Sequence, residues 1–276
     1  MTAANGFLPQ FSGSWRYLPD QEVFFDVSKN MRSYYVQGLT FASPFGVSTW
    51  DAFRYDQKHL KPEKDWVYEV GWRLMKPRYT ALVTLYHVDF SDRQQKITTG
   101  VGGVREVSTV ANVGAVTTNG VEGSLTVRPV KGLSIYNSIS WNRSTFNNNF
   151  SSGDVFFDVK GKKVPNYPSL MYKASLTYEY KSAYARIDTL YTSSRPLSYT
   201  NDVHVPSSFI TNLSAGYTFK INHGIQTINV SFNVYNLTNQ EWIANTGDIG
   251  SPRSGDYQTF MPGAPRSYYG TVRADF

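Results

Sequence analysis

The sequence contains no cysteine. That excludes disulfides, thiolate metal sites and a cysteine nucleophile, and it fits an oxidising compartment such as the bacterial periplasm. Long apolar runs are also absent: the least charged stretch, 225–240, is dense in Asn, Gln, Ser and Thr. No transmembrane helix is therefore expected, and any membrane contact must be made by strands. The opening residues Met-Thr-Ala-Ala-Asn-Gly-Phe lack the basic start and apolar centre of a secretion signal. Export would then imply a removed signal or a segment of a longer chain. Lys and Arg outnumber Asp and Glu by 27 to 21, yet no basic run or helix collects them, so no nucleic-acid partner is expected.

What the chain does have is aromatic residues, 16% of its 276 positions, against a hydrophobic total of 41%. Its mean hydropathy is −0.38. A membrane barrel tolerates that balance, because only alternate residues face lipid and the others line a polar lumen. Period-two alternation recurs along the chain. Tyr268, Gly270, Val272, Ala274 and Phe276 fall on one face of the last segment, and Tyr269, Thr271, Arg273 and Asp275 on the other. Ile228, Val230, Phe232 and Val234 alternate with Asn229, Ser231, Asn233 and Tyr235 in the same way. The pattern predicts eleven strands, near 10–17, 21–30, 66–75, 79–98, 116–128, 133–143, 169–181, 184–195, 208–219, 225–237 and 267–276.

The connections alternate strictly between short (around 18–20, 76–78, 129–132, 182–183 and 220–224) and long (31–65, 99–115, 144–168, 196–207 and 238–266). Short periplasmic turns and long extracellular loops have this signature, and a soluble sandwich does not. The fold class predicted is all-β, an antiparallel up-and-down transmembrane barrel segment. If the last strand runs down to a periplasmic end, the first strand runs down as well. Eleven such strands cannot close antiparallel, and open edges in lipid are prohibitive. The expectation is one domain, 1–276, that needs further N-terminal strands or a partner supplying them.

Several segments resemble the C-terminal region of the TonB-dependent outer-membrane receptors. They are Leu60-Lys61-Pro62-Glu63-Lys64, Thr118-Asn119-Gly120-Val121-Glu122-Gly123 with the following Pro129-Val130-Lys131-Gly132-Leu133, and Val164-Pro165-Asn166-Tyr167-Pro168. Asn233-Val234-Tyr235-Asn236-Leu237-Thr238-Asn239 and the run Pro262 to Tyr269 before the terminal Phe276 complete the set. The resemblance implies about half of a twenty-two-strand barrel and energised uptake of a scarce ligand such as a ferric siderophore. It also implies, as partners, outer-membrane lipid, the N-terminal barrel half with its plug domain, and the TonB complex acting through that plug. A passive porin or autotransporter-type translocator barrel is the alternative.

No catalytic, cofactor or metal site is expected. The four histidines, His59, His87, His204 and His223, have no metal-ligand spacing on one element. Gly100, Gly102 and Gly103 lack the following helix that a phosphate cradle needs. Asp202-Val203-His204 invites comparison with an outer-membrane rim protease, in which Asp orients a water-activating His, although an exposed polar loop explains the same residues. Trp15, Tyr68, Trp72, Trp141 and Tyr217 suit interface girdles. The ligand-contact candidates lie in the long connections: Arg32, Tyr34, Tyr35, Trp50, Arg54, Arg195, Trp242, Arg253 and Tyr257, aromatic and cationic groups suited to an anionic, partly aromatic ligand. Loop-on-loop packing is the competing role for each. Arg186 and Arg273 on the lumen face either meet a plug or pair with Asp188 and Asp275.

Overall fold

The computed structural model describes residues 6–33, 50, 54, 58–101, 104–152, 155–223, 225–246 and 260–275. Among them the chain forms β1 (Gln10–Leu18), β2 (Gln21–Arg32), β3 (Glu63–Met75), β4 (Tyr79–Ser91), β5 (Gln94–Val101), β6 (Val104–Asn112) and β7 (Val116–Val127). It continues through β8 (Leu133–Phe146), β9 (Phe150–Ser152), β10 (Val155–Phe157), β11 (Leu170–Tyr180), β12 (Ala183–Thr192), β13 (Arg195–Pro196) and β14 (His204–Val205). The last elements are β15 (Ser208–His223), β16 (Ile225–Tyr235), β17 (Ile243–Thr246), β18 (Phe260–Pro262) and β19 (Ser267–Asp275).

Eleven strands make one sheet in the order β1-β2-β3-β4-β7-β8-β11-β12-β15-β16-β19, each antiparallel to its neighbours. They correspond one for one to the eleven predicted strands. β1 and β19 are the two free edges, and both run from the long-loop end to the short-turn end. Among the described residues β1 and β19 do not pair with each other, and the sheet is open. Phe276 lies outside the described residues.

Register keeps the two faces chemically distinct. Gly13, Phe25, Val70, Leu85, Val121, Trp141 and Leu170 stand opposite one another across seven strands. Phe25, Val70, Leu85 and Trp141 are exposed despite their size, as expected where lipid replaces a protein core. A one-residue slip would send these groups to the other face, so the apolar alternation itself fixes pairing. The opposite face is mostly polar, with Asp26, Glu122, Ser140, Thr177 and Asn229. There Phe24, Tyr86 and Tyr184 lie flat over Gly71, Gly120 and Gly216 of the adjacent strands, so that an added Cβ would sit 2.2, 2.1 and 2.5 Å from the ring atoms.

The turn after β7 also needs a glycine. Gly132 has φ +85°, and a Cβ there would fall 2.1 Å from the Glu179 carbonyl oxygen, which combines a disfavoured conformation with a backbone clash. The two-residue turn between β11 and β12 places Lys181 at φ 54°.

Several boundaries differ from expectation. The strand expected over 79–98 stops at Ser91, because Asp92 adopts φ 53°. Backbone hydrogen bonds between Arg93 and Val113 and between Arg93 and Gly114 then redirect the chain. Beyond them β5 pairs with β6 as a separate hairpin, so 99–115 is not an irregular loop. The strand expected over 184–195 ends at Thr192, and Arg195–Pro196 pairs instead with His204–Val205. Further short ladders, β9 with β10 and β17 with β18, occupy the other long connections.

The buried core lies at the long-loop end rather than behind the sheet. Val116 and Phe146, near strand ends, join Val113, Phe150, Phe157, Val159, Val164 and Tyr199 from the connections, with Phe90 packed against them. Phe150 and Phe157 stack at 4.8 Å, and Tyr199 meets Phe146, Phe150 and Phe157 at 5.9, 5.7 and 5.8 Å. These aromatic contacts tie the 144–168 and 196–207 connections into one unit over the polar face.

Candidate functional site

The polar face and its two mouths form the candidate site. Its charges are largely compensated in place. Glu22 lies between Arg16 and Arg73 at 3.6 and 3.7 Å. Arg186 pairs with Asp188 at 2.7 Å and Arg273 with Asp275 at 2.8 Å, so both arginines take the same-strand carboxylate partners that the spacing allowed. Asp275 also accepts from Thr227 and Asn229. Exposed pairs of this kind contribute little stability and mainly fix side-chain direction.

At the short-turn mouth an open cleft of ≈ 660 Å³ is lined by Arg78, Arg128, Lys131, Glu179 and Arg186, among others. With Arg186 held by Asp188, three cations and one carboxylate remain, and the field is positive. At the opposite mouth the connections pack tightly. Arg93 stacks on Phe90 at 4.4 Å and on Tyr167 at 5.6 Å, and its guanidinium donates to the Tyr167 hydroxyl at 2.9 Å. Burial pushes the Tyr199 pKa up, so its hydroxyl stays a neutral donor to Gln95 Oε1 at 2.8 Å.

The sequence-predicted contact residues divide accordingly. Tyr34, Tyr35, Arg253 and Tyr257 lie outside the described residues. Arg32 ends β2, with its Cα opposite Glu63. Trp50 is 65% exposed, and the Arg54 guanidinium lies 5.7 Å from its ring centre, a cation–π pair open to solvent. Arg195 donates to Asn166 Oδ1 at 2.7 Å, and burial lowers its pKa while leaving it charged. Trp242 donates to the Ala264 carbonyl at 3.4 Å and covers Gly263, where a Cβ would lie 2.0 Å from the indole. The structure thus brings Trp50 and Arg54 together, while Arg195 takes a partner in the 144–168 connection and Trp242 packs within its own. Arg93 and Tyr167 were not predicted. Tyr167 stands in the Val164-Pro165-Asn166-Tyr167-Pro168 run, but its partner is 74 residues away in sequence.

Asp202 accepts from the Ser198 and Thr200 hydroxyls, which anchors the turn before β14, while His204 is exposed on that strand. The Asp therefore has a structural task in this turn. His87 is held by Asn119 and Asp89, and among the described residues no group of three potential ligands gathers to hold a metal.

A family model, "TonB dependent receptor-like, beta-barrel", matches residues 2–237. Among solved structures, the chain resembles the siderophore receptor PiuA from Acinetobacter baumannii with a TM-score of 0.71 at 14% identity, over 95% of this chain and 35% of that one. The ferric citrate transporter FecA in its unliganded form gives 0.69 at 16%, over 96% and 37%. The copper transporter OprC gives 0.70 at 15%, over 96% and 39%. No curated protein matched by sequence. The chain therefore spans little more than a third of the length of the structures it resembles.

Proposed function

This chain belongs to the TonB-dependent receptor-like β-barrel family, and from that premise we propose that it forms one side of an outer-membrane barrel for energised uptake of a scarce ligand, such as a ferric siderophore. The carrying observation is the open eleven-stranded sheet with one lipid-suited face and one polar face. Unpaired edge groups each cost several kcal/mol in hydrocarbon, so β1 and β19 call for further strands, from the same polypeptide or another. Completed, the polar face becomes a lumen, the packed connections its outer mouth, and the basic cleft at Arg78, Arg128 and Lys131 its inner mouth.

The work is binding and passage, with no covalent step. Trp50, Arg54, Arg195 and Trp242, together with Arg32, Tyr34, Tyr35, Arg253 and Tyr257, are the proposed ligand contacts. Arg93 and Tyr167 join them, because a stacked guanidinium at the mouth suits an anionic, aromatic ligand. An internal plug and the TonB complex are the proposed partners for energising release.

The test is uptake of labelled ferric siderophores by iron-starved cells that produce the chain in its natural genetic context. Uptake that ceases when the proton-motive force is collapsed supports the reading. Entry of small solutes that ignores the collapse refutes it in favour of a passive pore.

A further inference from the structure

Charge is distributed unequally over the apolar face. Across its second half, Leu170–Tyr180, Ala183–Thr192, Phe209–Phe219, Ile228–Val234 and Tyr268–Ala274, the side chains alternating to this face include no charged group. Across β2, β3, β4, β7 and β8 the same face carries Lys29, Lys64, His87 and Arg143, all at the long-loop end. Lys163, bridged to Thr145 of β8, extends the set. Asp89 is the one carboxylate among the described residues on that face of these strands.

The patch has internal order. His87 Nδ1 meets Asn119 Oδ1 at 2.7 Å and His87 Nε2 meets Asp89 at 2.9 Å, which leaves the Asn119 amide hydrogens free to donate. Arg143 stands directly opposite Asn119 across the β7–β8 ladder; it is exposed and has no polar partner among the described residues. Lys163 Nζ donates to Ser169 Oγ at 2.9 Å. Lys29 lies 5.5 Å over the Trp66 ring. Below His87, and two strands to the side of Arg143, an apolar groove of ≈ 290 Å³ runs between β2, β3 and β4, lined by Val27, Tyr68, Val70 and Leu85.

We infer that this corner of the barrel exterior binds a phosphorylated membrane lipid, its headgroup phosphate on Arg143, Asn119 and Lys163 and an acyl chain in the groove. A guanidinium beside a free amide supplies converging donors of the geometry phosphate accepts. The adjoining groove distinguishes a lipid from a free ion, since an ion gains nothing from apolar walls. The absence of charge from the other half of the face makes this a local site and not a general interfacial belt. The inference rests on the barrel reading, which places this face in lipid.

The experiment uses the chain together with the strands that complete its barrel, purified from the outer membrane of cells that produce it in its natural genetic context, and observed by native mass spectrometry. The probes are diphosphoryl lipid A, the same lipid with its phosphates removed, and inorganic phosphate. The expected result is retention of the phosphorylated lipid, weakened about tenfold in Arg143→Gln by loss of one charge-assisted contact, and more in Arg143→Gln with Lys163→Gln. Arg266→Gln should leave binding unchanged. Equal retention by the double variant or of the dephosphorylated lipid overturns the inference, and so does displacement by inorganic phosphate at comparable concentration. Tryptophan quenching by brominated acyl chains separates the two failures. Without quenching the barrel reading itself fails, whereas quenching without phosphate selectivity sinks only the lipid site.

Discussion

Tyr199 is fully buried and touches three aromatic rings from the neighbouring connection, so Tyr199→Ala should release the two connections from each other. Removing a buried aromatic of this size costs about 3–5 kcal/mol through lost transfer energy and the cavity left behind. Tyr199→Phe keeps the rings packed and loses only the donation to Gln95, about 1 kcal/mol. At about 1.4 kcal/mol per tenfold, the alanine variant should raise local opening roughly a hundredfold or more, and the phenylalanine variant about fivefold. Hydrogen exchange on the barrel purified with its completing strands reads this directly. Amides of the 144–168 and 196–207 connections should lose protection by those factors, while β11 and β12 do not change, because continuous backbone ladders hold them on both sides. Equal loss across the sheet, or no loss in the connections, would show that this core does not hold the mouth together.

Gly132→Ala forces a side chain into φ +85° against the Glu179 carbonyl. The conformation alone costs about 1–2 kcal/mol, so the denaturation midpoint of the completed barrel should fall, and exchange at 128–133 should rise first. Asp202→Ala frees the Ser198 and Thr200 hydroxyls and should cost about 1–2 kcal/mol locally. Limited proteolysis should then nick the chain between Ser198 and Val203, and an unchanged digestion pattern would contradict the anchoring role.

The sheet was legible because its rule is local: each strand alternates apolar and polar residues, and each connection announces its side by its length. All eleven strands followed from that. The hairpins above the sheet did not, for a physical reason visible at Asp92. One left-handed residue ends β4, yet the alternation runs on through Gln94 and Ile97 as though nothing had happened. Proline at 196 was a clearer signal that β12 had to stop, since it cannot donate to a central ladder. The candidate site was less legible. Residue type marks Arg195 and Trp242 as suitable contacts, but only tertiary structure shows that Asn166 and Gly263 engage them. The stack of Arg93 on Tyr167 joins segments far apart in the chain, beyond any local pattern.

The two free edges run in the same direction, and this makes completion of the barrel a question of parity. An antiparallel ring closes only on an even total. Eleven strands therefore demand an odd complement whose first and last members both run toward the long loops. A second copy in the same orientation also offers an odd number, but its edges run the opposite way, toward the short turns. Each seam would then be parallel. Turning that copy over would correct the direction only by sending its long connections to the wrong side of the membrane. For this eleven-stranded segment, the odd count disfavours pairing with a second copy and calls for strands of a different sequence.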